Sequence, residues 1–387
     1  MRPPTRLVHP PGSGAAPART VNPVIQKGST VLLPDAAALY DDDAYVTYGR
    51  NGLAAHEALK AALCDLEHAA AVELYPSGVA AIAGALLAVL KAGDELLMVD
   101  TAYKPTRRFC DRTLARFGVT TRYYDPTLPA AEVTNLFGPR TRAIFLESPG
   151  SLSFEMQDLP ALAAAARDRG MLSLVDNTWG AGLLLKPLDL GVDISIQALT
   201  KYVGGHSDAF MGSAAARDPG VCGSLHAGVV DLGWSVAAED AYAMLRGLRT
   251  LDVRLQRHGE SGLEVARWLA GRPEIASVLH PALPGAPGHD LWKRDYSGAC
   301  GLFAFVLRPA RPEATAALLD ALHLFGLGFS WGGYESLAID CDPQLEVRAF
   351  RRDYGGALVR LHVGLEAPED LIADLEGGLA AFRAAAG

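Results

Sequence analysis

Between residues 60 and 255, short apolar runs alternate with helix-patterned stretches, and no other feature constrains the fold as strongly. Strand-like runs occupy 95–99, 119–124, 143–147, 172–175 and 194–197. Helical patterns cover 54–66, 79–91 and 159–167, the second of them preceded by the breaker Pro76-Ser77-Gly78. Short apolar strands separated by helices predict an α/β domain with a largely parallel sheet. In such sheets ligands gather at the carboxyl ends of the strands.

Two groups with complementary chemistry stand at such ends. The run 172–175 finishes on Asp176, and the run 194–197 leads through Ala198-Leu199-Thr200 to Lys201. A lysine amine forms a Schiff base with an aldehyde. An aspartate pairs with a pyridinium nitrogen and keeps it protonated, so the ring acts as an electron sink. Together they point to pyridoxal 5'-phosphate (PLP) as cofactor. A helix start offers free N–H groups and partial positive charge for its phosphate, and Gly78 and Val79 open the 79–91 helix. Thr200 adds a hydroxyl, and Tyr48 and Arg50 add a phenol and a guanidinium suited to phosphate. Tyr103 follows the strand end at Val99, at the same sheet edge, where it can stack on a ring. Arg360 lies inside the apolar run 357–363. A buried arginine needs an anion, either an internal carboxylate or that of a substrate amino acid. Ser330 and Trp331 begin a glycine-containing turn that adds a hydroxyl and an indole.

The remaining sequence narrows the class. The 387 residues are 50% hydrophobic and 20% charged, enough for a sizeable core. The net charge of −9 has no basic block, so nothing favours nucleic acid or an anionic membrane. The longest apolar run, near 78–90, is too short to span a bilayer, and no secretory segment is evident. A cytoplasmic location is expected. Cys64, Cys110, Cys222, Cys300 and Cys341 are scattered, as reduced buried thiols would be. No metal-ligand spacing occurs. His206-Ser207-Asp208 are consecutive and cannot converge as a hydrolytic triad, whereas Gly204-Gly205 suggests a turn close to the cofactor.

Three regions are expected: an arm over 1–60, a PLP-binding domain over 61–255 and a smaller α+β domain over 256–387. The arm reads as irregular, with an acidic cluster at Asp41-Asp42-Asp43, and holds no core of its own.

Tyr48-Gly49-Arg50, Asp176-Asn177-Thr178-Trp179, Thr200-Lys201-Tyr202, Gly205-His206-Ser207-Asp208 and Arg360-Leu361-His362 occur in one order along the chain. In that order they resemble the Cys/Met-metabolism PLP enzymes, which carry out transsulfuration. Glu147-Ser148-Pro149-Gly150-Ser151, the 280–285 loop, Trp292-Lys293-Arg294-Asp295 and the 330–337 turn are similar to the bacterial cystathionine β-lyase subgroup. The resemblance implies PLP fold type I (aspartate aminotransferase-like), with a largely parallel seven-stranded sheet and a smaller C-terminal domain. It implies Lys201 as Schiff-base lysine and proton shuttle, Asp176 beneath the pyridinium and Tyr103 on the ring. Gly78, Val79 and Thr200 would hold the phosphate, with Tyr48 and Arg50 reaching it from a neighbouring subunit of a homotetramer. Arg360, Ser330, Trp331 and Tyr48 would line the substrate site. The implied substrate is an amino-acid thioether and the implied reaction a carbon–sulfur β-elimination in methionine biosynthesis. A cysteine desulfhydrase or γ-lyase remains the alternative, with a γ-synthase or a non-catalytic homologue behind it. Ala198 stands where many members have serine, costing one phosphate hydrogen bond.

Overall fold

The computed structural model describes residues 2–8, 20–41 and 44–386. Its first sheet is built from β1 (Ala71–Tyr75), β2 (Glu95–Val99), β3 (Thr120–Tyr124), β4 (Thr141–Glu147), β5 (Leu172–Asp176), β6 (Ile194–Gln197) and β7 (Gly212–Ala216). The order is β1-β7-β6-β5-β4-β2-β3. The five strands β3, β2, β4, β5 and β6 run parallel, while β7 is antiparallel to both β6 and β1. Helices cover the faces, so the central strands are apolar without alternation: Ile144, Phe145 and Leu146 are all fully buried.

All five predicted strands form, two with the expected ends and three with one end shifted by one or two residues. The reading missed β1 and β7. β7 is Gly-Ser-Ala-Ala-Ala, which lacks every β-branched or aromatic cue. Its small residues serve packing instead. A Cβ on Gly212 would stand 2.4 Å from the Ser77 carbonyl oxygen and 2.8 Å from Ala81 Cβ, so the Gly78–Val89 helix lies directly on this strand.

The second sheet contains β8 (Ile275–Leu279), β9 (Leu302–Leu307), β10 (Gly326–Leu327), β11 (Leu337–Asp340) and β12 (Leu358–His362). Its order is β10-β11-β12-β9-β8, antiparallel apart from the β10–β11 pair. Phe303, Phe305 and Leu361 pack there with Leu318, Leu375 and Leu379 of the covering helices. The Leu251–Ala270 helix joins the two cores: Leu251 and Leu255 belong to the first, Val265 and Leu269 to the second. The expected division near residue 255 therefore falls inside one continuous helix.

The expectation of an irregular arm needs correcting at its start, where Pro3–Val8 is helical and Leu7 is buried. Arg6 pairs there with Asp65 at 3.1 Å. Among the described residues of 20–53 there are only short 3-10 turns and one bridge, Thr30 to Tyr48. Val21, Leu32 and Tyr40 on this stretch are more than 80% exposed, which fits an arm without its own core. Asp42 and Asp43 of the acidic cluster lie outside the described residues.

A clasp ties the second unit to the first. Asp100, just beyond β2, pairs with Arg107 at 2.6 Å and accepts the backbone N–H groups of Ala349 (3.1 Å) and Phe350 (2.8 Å). Arg107 in turn donates to the Val347 carbonyl at 2.8 Å. Asp100→Ala leaves a buried guanidinium without its anion and two N–H groups without an acceptor. The expected loss is about 3–5 kcal/mol in urea unfolding, since breaking a buried pair costs the uncompensated charge; a loss below about 1 kcal/mol would show that the clasp holds nothing.

Candidate active site

The carboxyl ends of β4 and β5, the turn after β6 and the second unit's β12 enclose a cavity of about 420 Å³. Tyr103, Glu147, Asp176, Thr178, Ala198, Lys201, Trp331 and Arg360 all face it. Of the residues predicted from sequence, Lys201, Asp176, Tyr103, Arg360 and Trp331 are thus brought together, and Ser330 touches Lys201.

Asp176 is the last residue of β5. Thr178 clamps one of its oxygens: the hydroxyl donates to Oδ1 at 2.5 Å and the backbone N–H at 3.0 Å. The Thr178 oxygen itself accepts the Ala198 N–H at 2.9 Å, fixing the turn that carries Lys201. Oδ2 is left for a donor in the cavity. Burial pushes the Asp176 carboxyl up, opposed by Thr178 and by the Lys201 charge. Such a carboxylate gains from a cationic N–H donor, which is what a protonated pyridine nitrogen offers.

Lys201 Nζ donates to Ser330 Oγ at 2.9 Å and lies 5.5 Å from the centre of the Trp331 ring. Burial and the Arg360 charge pull its pKa down to about 8, against the attraction of Asp176. Far more of the amine is then uncharged near neutral pH than for an ordinary lysine. Gly332 must be glycine here: its φ is +84°, and a Cβ would stand 2.8–3.0 Å from the Lys201 and Tyr202 backbone.

Arg360, central in β12, is 6% exposed. Its Nη2 donates to the carbonyls of Phe329 (3.2 Å) and Ser330 (3.0 Å). Its Nε is buried without a partner, and among the described residues no carboxylate pairs with it. Of the two readings left open above, the internal ion pair is absent. Burial lowers its pKa, the expected direction for a cation lacking an anion.

Gly78 and Val79 do not line this cavity directly. They lie behind Ala198: a Cβ on Gly78 would meet Ala198 Cβ at 2.5 Å. Ser77 caps the helix by accepting the Ala80 N–H at 3.1 Å, leaving the two earlier N–H groups for an oxyanion. The Thr200 hydroxyl is shared with the Met211 backbone at 3.0–3.1 Å. Tyr48 and Arg50 are not brought to the cavity of their own chain. Arg50 donates to the Val230 carbonyl at 3.2 Å, and Tyr48 is 46% exposed.

Gly204-Gly205 turns elsewhere than expected. A Cβ on Gly205 would strike the Arg254 guanidinium at 2.1 Å, and one on Gly204 would meet Leu199 and Met244 at 3.2 Å. The pair admits the Leu251–Ala270 helix and Met244, not the cofactor. His206 bonds to the Gly204 carbonyl and Ser207 to Glu335, so no triad forms. The reading missed Thr178 and Glu147 as site residues. Glu147 was detectable, since it closes a predicted strand as Asp176 does; the Thr178 clamp depends on a turn that periodicity does not reveal.

The family model for Cys/Met metabolism PLP-dependent enzymes matches residues 4–380. The chain is 44% identical to the cystathionine beta-lyase MetC of Escherichia coli (strain K12), over 97% of this chain and 98% of that protein. A putative cystathionine beta-lyase of Rhizobium johnstonii is 46% identical over 94% of this chain and 92% of its own. The crystal structure of metB from Corynebacterium glutamicum superposes with a TM-score of 0.92 at 28% identity, covering 98% of both chains. The chain belongs to the Cys/Met metabolism family of PLP-dependent enzymes, and its fold is that of the family. PLP is its cofactor.

In the cofactor-free protein, Lys201 should react with an acylating reagent with a midpoint near pH 8, against 10.5 for an ordinary lysine. Arg360→Met removes one of the two causes of the depression and should move that midpoint upward. Peptide mass spectrometry of the Lys201 peptide across pH reads both values.

Proposed function

We propose that this member of the family is a carbon–sulfur β-lyase that cleaves L-cystathionine to homocysteine, pyruvate and ammonia. The observation that carries the reading is Arg360: a buried guanidinium with an unpartnered Nε and no carboxylate partner, lining the same cavity as Lys201 and Asp176. An amino-acid α-carboxylate supplies the missing anion. Relatives named cystathionine beta-lyases at 40–46% identity support the choice of thioether.

PLP, when bound, withdraws electrons from the substrate Cα and makes its proton removable. The protein's own groups do the rest. Asp176, held by Thr178, keeps the pyridine nitrogen protonated. Lys201 Nζ, far more readily deprotonated than an ordinary lysine, takes the α-proton and can return one to the departing sulfur. Burial, and next the Asp176 charge, raise the Tyr103 hydroxyl pKa, so this group keeps its proton and is a second donor near the leaving group. Ser330 orients the lysine, and Trp331 walls the cavity against water. Gly78, Val79 and Thr200 receive the phosphate.

Tyr48 and Arg50 complete the phosphate site of a neighbouring subunit. Support comes from their distance from their own cavity and from the exposed apolar residues of the arm that carries them. The working unit is then a dimer that shares its sites, paired again into a homotetramer. No described helix is long and apolar enough to cross a membrane, and we assign the enzyme to the cytoplasm.

Purified protein should show a visible cofactor band and release stoichiometric homocysteine and pyruvate from cystathionine; 2-oxobutyrate in their place would move the chemistry to a γ-lyase. Lys201→Ala should lose both the band and turnover. Arg360→Ala should lower kcat/KM on the order of 100-fold, since removing one partner of a buried charge pair costs roughly 2–5 kcal/mol. Lys201→Ala and Arg50→Ala chains, each inactive alone, should regain activity when co-expressed, because every hybrid dimer contains one intact site. No recovery would show that the sites are not shared.

A further inference from the structure

Glu147 is a carboxyl group in the reaction cavity that the mechanism above leaves unused. It closes β4, and in the parallel ladder its residue partner is Asp176 at the end of β5. Two carboxyl groups thus stand side by side at the sheet edge. Glu147 Oε2 accepts the backbone N–H of Tyr103 at 2.8 Å. The Gln157 side chain in turn accepts the Glu147 N–H at 3.3 Å. No other bond holds Tyr103 by its N–H. The ring itself is 40% exposed, facing the cavity. Its placement over a cofactor therefore rests on the backbone, at the start of the Lys104–Arg112 helix.

We propose that Glu147 is a positioning residue: by accepting the Tyr103 N–H it fixes the tyrosine ring over the pyridine, and it does so as a neutral acid beside the charged Asp176. The inference rests on the PLP reading but not on the identity of the substrate. Burial and the Asp176 charge hold the Glu147 carboxyl well above the ordinary carboxylate range, against the opposing pull of the Tyr103 N–H and of Arg348. Asp176 also meets Lys201 and Thr178, so the charge is placed more favourably on Asp176 than on Glu147. A neutral acid keeps its carbonyl oxygen as an acceptor, which is all that the Tyr103 N–H requires.

The test compares Glu147→Gln with Glu147→Leu by titrating the cofactor-free proteins with PLP and following visible circular dichroism. The amide of the first variant retains an acceptor oxygen, and the side chain of the second does not. Glu147→Gln is expected to bind PLP within about threefold of the unmodified protein and to give the same spectrum, a difference well under 1 kcal/mol. Glu147→Leu is expected to bind about tenfold more weakly, with a smaller dichroic band, because an N–H loses its partner and the ring its fixed pose. If Glu147→Leu does not fold, Glu147→Asp replaces it, with the acceptor one methylene short and the same loss expected. Leu or Asp behaving as the unmodified protein overturns the proposal. Gln behaving as Leu overturns the neutral form, since charge and not the acceptor would then matter. Unmodified protein that gives no cofactor band would instead sink the PLP reading.

Discussion

The site depends on keeping three ionisable groups, Asp176, Lys201 and Arg360, largely out of water at one sheet edge. Each loses hydration there, and their shifts all run in the direction that disfavours the charged form. Desolvation alone would neutralise such groups. They stay functional because each is given part of what water supplied. Thr178 provides two donors to Asp176, Ser330 an acceptor to Lys201, and the 328–330 carbonyls three acceptors to Arg360. What remains unmet is one anion for the guanidinium and one cationic donor for the aspartate. An amino acid joined to a pyridoxal ring supplies both at once. Affinity is therefore built from the protein's own deficit.

The two units must also hold a fixed relation for this to work. Arg360 and Trp331 come from the second unit, while Asp176 and Lys201 come from the first. The Asp100–Arg107 clasp grips residues 347–350, a short distance along the chain from β12, and the Leu251–Ala270 helix spans both cores. Tyr103 lies between these features, three residues after Asp100 and bonded to Glu147. Packing, electrostatics and ring placement thus converge on the loop following β2.

Much of this was legible in the chain. The central parallel strands were readable because fully covered strands need unbroken apolar runs, the edge strand β3 through its β-branched and aromatic residues, and the strand ends exposed Asp176 and Lys201 as candidates. Arg360 stood out as a charge within an apolar strand. Other elements carried no such mark. β7 is alanine-rich and would suit a helix as well; only the Gly78–Val89 helix lying against it makes small residues the right choice. Gly204-Gly205 looked like a cofactor turn and proved to make room for Arg254. Thr178 and Glu147 act through hydrogen bonds to residues 2 and 44 positions away, which no periodicity reports.

Sequence alone determined which residue types end the strands, hence the Schiff-base chemistry available, because strand ends follow from local patterns of apolar and polar residues. Tertiary structure decided which of those groups meet and in what electrostatic state. Strand order is set by non-local pairing, so only the folded chain puts β4 beside β5 and Glu147 beside Asp176. The pKa of Lys201 arises from burial beside Ser330 and Arg360, more than a hundred residues along the chain. Desolvation and hydrogen-bond geometry are properties of the assembled interior, and they come into being only when the two units close over the sheet edge.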